Sequence, residues 1–223
     1  MLQAVATNIT SSEISKRELL ESLKTKLSSA SKLKSGEFVS TGHPYLDEVL
    51  GGGLELGSVS EWGMPLGQNS RAILLDVIKK ISNDITARPI LWSLGQPGSV
   101  PFASSFKSFG VELQRVFFAK TFRPIEDLRE AFLEPVFSLV ILDCPKSFSR
   151  EDYAFISKQA VKMNCHVCIL QPYLLNEGAG NVWARKRLNC IGMENGSLGI
   201  QVVRGVQHSF RKINLNYGVC YAG

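Results

Sequence analysis

No stretch of this 223-residue chain approaches the roughly 18 consecutive apolar residues that a membrane-spanning helix needs. The first twenty residues, MLQAVATNITSSEISKRELL, lack the basic stretch followed by an apolar one that marks a secretory leader. A soluble cytoplasmic protein with no membrane partner is therefore expected. An even complement of cysteines is missing too. Five of them (Cys144, Cys165, Cys168, Cys190 and Cys220) fit reduced thiols better than a disulfide framework. Cys165 and Cys168, in CHVC, have metal-like spacing, but no second such pair and no histidine pair completes four ligands. Because CHVCILQ reads as a buried strand, both are expected in the core and no metal is expected.

What the chain does have is enough apolar material for a sizeable core, 44% of its residues. Its length fits one large domain with a small appendage. The net charge of +5 is uneven: residues 176–223 hold six Lys or Arg against two Glu. A local excess of this kind says more about partners than a diffuse one.

Residues 1–36 read as a separate helix and linker. Thr10 with Glu13, or Ser15 with Glu18, has capping-box spacing, and Leu19, Leu20, Leu23 and Leu27 follow as a narrow apolar stripe. Such a stripe must be buried on its own domain or on a neighbour, and Leu20, Leu23 and Leu27 are the candidate contacts for self-association. Residues 37–223 read as one domain in which near-continuously apolar strands alternate with helices. The strands are SVSEW, PILWSL, RVFFA, FSLVILD and HVCILQ, and the helices fall near residues 70–82, 102–109, 124–134 and 150–163. That rhythm predicts a mostly parallel, buried β-sheet flanked by helices. After Arg187 short strands follow closely, and Asn195-Gly196 signals a hairpin, so the sheet is expected to end in antiparallel strands.

SEWGMPLGQNSRAILL, residues 60–75, has the layout of a phosphate-binding loop between a strand and a helix. A working loop, G-x-x-x-x-G-K-[ST], cradles phosphates with backbone N–H groups, adds a lysine for the outer phosphates and offers a hydroxyl to Mg²⁺. Counted from Gly63, the second glycine falls on Gln68, although Gly67 stands one place earlier. The lysine falls on Asn69 and the hydroxyl on Ser70. Loss of that cation should cost several kcal/mol of phosphate binding.

The order of motifs over about residues 36–220 resembles the RecA superfamily. FVSTGHPYLDEVLGGGLELGSVSEWG resembles the segment that leads into the RecA phosphate loop, and FSLVILD the strand that ends in the Mg²⁺-side acid, here Asp143. CILQ resembles the strand whose terminal Gln, here Gln171, senses nucleotide and opens a DNA-binding loop. GAGNVWARKRL and GIQVVRGVQHSFRKINLNYG resemble the elements after that loop. The resemblance implies a RecA-like α/β core. It also implies a catalytic Glu just after PILWSL, and there the chain departs from it, since no Asp or Glu occurs between Asp84 and Glu112. With both the lysine and the base missing, Gly63, Gly67, Gln68, Asn69, Ser70, Asp143 and Gln171 are expected to form a vestigial nucleotide pocket with no catalytic residue.

Within the superfamily the chain resembles the ImuA-like accessory proteins of damage-induced mutagenesis in length, degenerate loop and Trp/Ala/Arg-Leu stretch. That implies a non-catalytic protein of DNA repair and translesion synthesis that needs no cofactor. Its implied partners are a Y-family-like polymerase protein (ImuB-like), RecA, or both. The alternatives are a RecA-family ATPase with an unorthodox loop that uses ATP and Mg²⁺, and a SulA-like division inhibitor. Trp183, Arg185, Lys186, Arg187, Arg204, Arg211 and Lys212 make a basic cluster with aromatics among them. Single-stranded DNA, a protein partner and a solvated sheet edge all fit such a cluster.

Overall fold

The computed structural model describes residues 36–96, 101–143, 148–178, 180–193, 197–205 and 210–214, the last five as backbone only. Leu20, Leu23 and Leu27, the expected association stripe, lie outside the described residues. β1 (Phe38–Val39) and β2 (Leu54–Glu55) pair antiparallel in a small sheet that the sequence reading did not anticipate. Between them, α1 (Pro44–Leu50) is tied to its own approach. The Asp47 carboxylate accepts from the Thr41 N–H (2.7 Å), the Thr41 hydroxyl (2.6 Å) and the Ser40 hydroxyl (2.7 Å).

The main sheet has eight strands among the described residues. β3 (Ser58–Gly63), β4 (Ile90–Leu94), β5 (Val116–Lys120), β6 (Leu139–Asp143), β7 (His166–Gln171) and β8 (Lys186–Gly192) run parallel in the order β8-β3-β7-β6-β4-β5. β9 (Ser197–Arg204) and β10 (Phe210–Asn214) extend the β8 side antiparallel. This is the mostly parallel α/β sheet with antiparallel C-terminal strands that was expected, and it is consistent with a RecA-like fold. β6 and β7 are buried along their whole length, because interior parallel strands are covered on both faces.

Strand alternation sends neighbouring side chains to two separate cores. On one face, Ile73, Leu74, Val77, Ile78 and Ile81 of α2 (Ala72–Ser82) pack with Trp62, Ile141, Leu170 and Leu188. On the other, Ile156, Ala160 and Met163 of α5 (Arg150–Met163) pack with Val59, Val140, Leu142 and Ile169. Cys165 and Cys168 fall into different cores, so CHVC does not present its two sulfurs to one point. Burial pushes the Cys165 thiol up to about 12 and the Cys168 thiol well above its ordinary value.

α5 spans the expected residues because Ser149 and Asp152 close a capping box at its start. α3 (Ala103–Ser108) is close to expectation. Two helices differ. The one expected over 124–134 is only α4 (Pro124–Asp127) and a separate 3₁₀ turn, Glu130–Phe132, because Leu128 leaves helical dihedrals at φ −114°, ψ 24°. α2 starts two residues later than expected because Asn69 is left-handed, at φ 49°. Among the described residues, no helix is long and apolar enough to cross a membrane.

Candidate functional site

The loop from Gly63 to Ser70 leaves β3 at the C-terminal end of the parallel strands, where open α/β sheets bind ligands. Leu66 to Asn69 are exposed and Ser70 is buried. The Ser70 hydroxyl has no hydrogen-bond partner within the protein. Asn69, aligned with the phosphate lysine, sits in a left-handed turn rather than at the start of the helix, so the backbone departs from a working loop along with the side chain.

Arg71, which the sequence reading passed over, fills the position of interest. Its Nη2 donates to Asp143 Oδ1 at 2.9 Å, and its Nε lies 3.3 Å from both carboxylate oxygens. Its Nη1 donates to the Met64 carbonyl at 3.1 Å. Asp143 ends β6 and Met64 follows β3, and β7 lies between those strands. One guanidinium thus bridges both ends of the loop to the acid expected on the Mg²⁺ side. The pair is partly accessible, with side-chain exposures of 24% for Arg71 and 11% for Asp143.

The other expected pocket residues divide. Gly63, Gly67, Gln68, Asn69 and Ser70 share the loop. A cleft of about 360 Å³ beside it is lined by Gly67, Gln68, Asn69, Gly192, Met193, Ser197 and Leu198, and so opens toward the β8–β9 hairpin. Gly192 is required there: a Cβ on it would lie 1.9 Å from the Gln68 carbonyl oxygen. Gly63 meets a different neighbour from the one expected. A Cβ on it would lie 2.3 Å from Asn189 Oδ1 and 2.7 Å from the Tyr173 carbonyl oxygen. This glycine therefore accommodates the chain after β7. Gln171 is turned away from the loop as well, its Nε2 donating to Glu61 Oε1 at 3.3 Å.

Glu61 is the second residue the sequence reading missed. It lies in β3, buried, and its Oε2 accepts from Arg187 Nε at 2.8 Å, with side-chain exposures of 3% and 2%. Arg187 Nη1 also donates to the Asn176 carbonyl at 2.9 Å. Asn189 holds the same segment through both its amide atoms, accepting from the Leu175 N–H at 2.7 Å and donating to the Leu175 carbonyl at 3.0 Å. Arg204 Nη1 reaches the Asn181 and Val182 carbonyls at 3.2 and 3.3 Å. The segment after Gln171, where the resemblance implies a DNA-binding loop, is pinned onto the sheet.

This corrects the reading of the basic cluster. Arg187 is no surface cation: it is buried against Glu61 because β8 alternation turns it inward beside Asn189. Arg204 spends donors on backbone carbonyls, and Arg185 pairs with Glu55 while remaining 55% exposed. Lys186 is half-buried, and its ammonium is pushed down chiefly by burial and also by Arg185, against an opposing pull from Glu55. Trp183 stacks on Tyr153, ring centroids 6.5 Å apart and planes 18° from parallel. The Tyr153 hydroxyl is pushed up to about 12, first by burial and then by the Glu61 charge. Arg211 and Lys212 lie on β10, but their side chains are outside the described residues.

A third polar cluster lies in the α2-side core. His166 Nδ1 faces the Glu55 carbonyl at 2.8 Å; a carbonyl only accepts, so Nδ1 carries the proton. Nε2 then accepts from the Ser60 hydroxyl at 2.7 Å, and Ser60 in turn accepts from Trp62 Nε1 at 2.7 Å. Burial pushes the imidazole down to about 4, against the opposing effect of the Glu55 bond. No protein-family model matches the chain, and no curated protein sequence matches it.

Proposed function

We propose that this chain is a non-catalytic, RecA-like accessory protein of DNA repair and damage-induced translesion synthesis, of the ImuA-like kind, and that it acts by docking on protein partners. The observation that carries the reading is the Arg71–Asp143 ion pair across a loop that lacks the phosphate lysine. A nucleotide-hydrolysing site holds its acid open for Mg²⁺, whereas here a side chain of the same chain covers it. The absence of any acid between Asp84 and Glu112 supports the same reading, since that stretch would supply the water-activating base.

The polar bonds of Arg187 and Arg204 favour a protein partner over DNA. Arg187 is buried on Glu61, and Arg204 turns its Nη1 to two backbone carbonyls, so the described part of the basic cluster offers fewer phosphate contacts than its sequence implies. The partners proposed are a Y-family-like polymerase protein and RecA. Calorimetry with ATP and Mg²⁺ tests the loop: no measurable heat is expected, and a dissociation constant in the low micromolar range would overturn the reading. Capture from cells after DNA damage tests the partner: a Y-family-like polymerase protein or RecA is expected, and a cytoskeletal GTPase in their place would favour the division-inhibitor alternative.

A further inference from the structure

We infer that Arg71 keeps this site closed to divalent cations, because its guanidinium occupies in cis the place at Asp143 that such a cation would take. The inference rests on the proposed reading of residues 63–70 as a disused phosphate loop, and it names what keeps that site shut. Both oxygens of Asp143 are engaged, Oδ1 at 2.9 and 3.3 Å and Oδ2 at 3.3 Å. A divalent ion bound there would have to displace these hydrogen bonds and then sit within a few ångströms of a positive charge.

The tenant is held at its other end too. Nη1 on the Met64 carbonyl ties the guanidinium to the start of the loop, while its own backbone lies at the end of the loop, one residue before α2. The planar fork of arginine serves both anchors at once, which a lysine ammonium on a flexible stem would not reproduce. An arginine also stays protonated at any working pH, so the site does not open by titration of its tenant. The residue before Arg71 in the chain is of the type that would give a cation its second oxygen donor. Ser70 keeps a buried hydroxyl with no partner within the protein, at the position where a phosphate loop offers its hydroxyl to Mg²⁺. Asp143, 11% exposed, remains reachable once the guanidinium is gone.

The experiment uses the full chain and Mn²⁺ as the probe, followed by electron paramagnetic resonance, with Arg71→Ala, Asp143→Asn and the double variant. Wild type is expected to bind Mn²⁺ at least tenfold more weakly than Arg71→Ala, and the gain should vanish in Arg71→Ala/Asp143→Asn. No gain in Arg71→Ala, or a gain that survives Asp143→Asn, overturns the inference. Should Arg71→Ala fail to fold, Arg71→Gln removes the charge at similar length and is expected to show the same gain; a folded Arg71→Gln without it overturns the inference. A double-mutant cycle in denaturant adds a readout independent of metal: coupling of at least fivefold in the unfolding constant is expected, and none overturns the ion pair itself. Binding of ATP and Mg²⁺ by wild type would instead sink the proposed function, whereas an inert Arg71→Ala beside an inert wild type sinks only this inference.

Discussion

Two arginine–carboxylate pairs sit on opposite faces of one sheet, and they do different work. Arg187–Glu61 is almost wholly buried, at 2% and 3% side-chain exposure, and holds the segment after β7 against the strands. Arg71–Asp143 is partly open, at 24% and 11%, and lies across the mouth of a loop. In the first, solvent can replace neither partner, so losing one strands a charge in the protein interior. In the second, water can reach both groups, so the pair governs what else may approach more than whether the chain folds. Burial, rather than the chemical type of the pair, separates a structural pin from a closure.

The largest expected effect breaks the buried pair. Arg187→Ala should destabilise the protein by about 3–5 kcal/mol, read as a shift in the denaturant midpoint, because Glu61 is left without its partner charge. Replacing both with apolar residues, Glu61→Leu with Arg187→Met, should recover much of that loss. A single variant costing under about 1 kcal/mol would mean that the pin is dispensable.

The next effect sharpens the comparison with a buried group that carries no charge. The His166 value of about 4 lies below the 6.5 of the unfolded chain, so folding favours the neutral ring. Its contribution is complete above pH 6.5 and is lost as pH falls from 6.5 toward 4, to a total on the order of 3 kcal/mol. Denaturation midpoints for wild type and His166→Gln at pH 7.5, 5.5 and 4.5 should converge as pH falls. Parallel curves would show that His166 does not titrate in this window.

The smallest effects concern the accessible pairs. Arg71→Ala should cost only about 1 kcal/mol of stability, and Arg185→Ala, which removes the exposed partner of Glu55, about 0.5 kcal/mol. A loss at Arg71 equal to that at Arg187 would erase the distinction between pin and closure.

The amino-acid sequence by itself determined the alternation of strands and helices, the parallel sheet, the antiparallel end and the defect in the loop. Those features are local or periodic: apolar runs of strand length, an Asn-Gly turn signal and a missing lysine read directly from neighbours in the chain. Tertiary structure alone decided which charges meet. Arg71 and Asp143 are 72 residues apart, and Glu61 and Arg187 are 126 apart. Arg187 looked like part of a surface run, RKR, because charge is visible in sequence while the face a strand residue takes depends on what covers it. Gly63 kept a place in a phosphate-loop pattern, yet its need for a missing Cβ comes from Asn189 and Tyr173, which only the strand order β8-β3-β7 brings alongside. Spacing along the chain records which residue types are available. Which of them share a low-dielectric space, and so must pair, follows from the packing of the sheet.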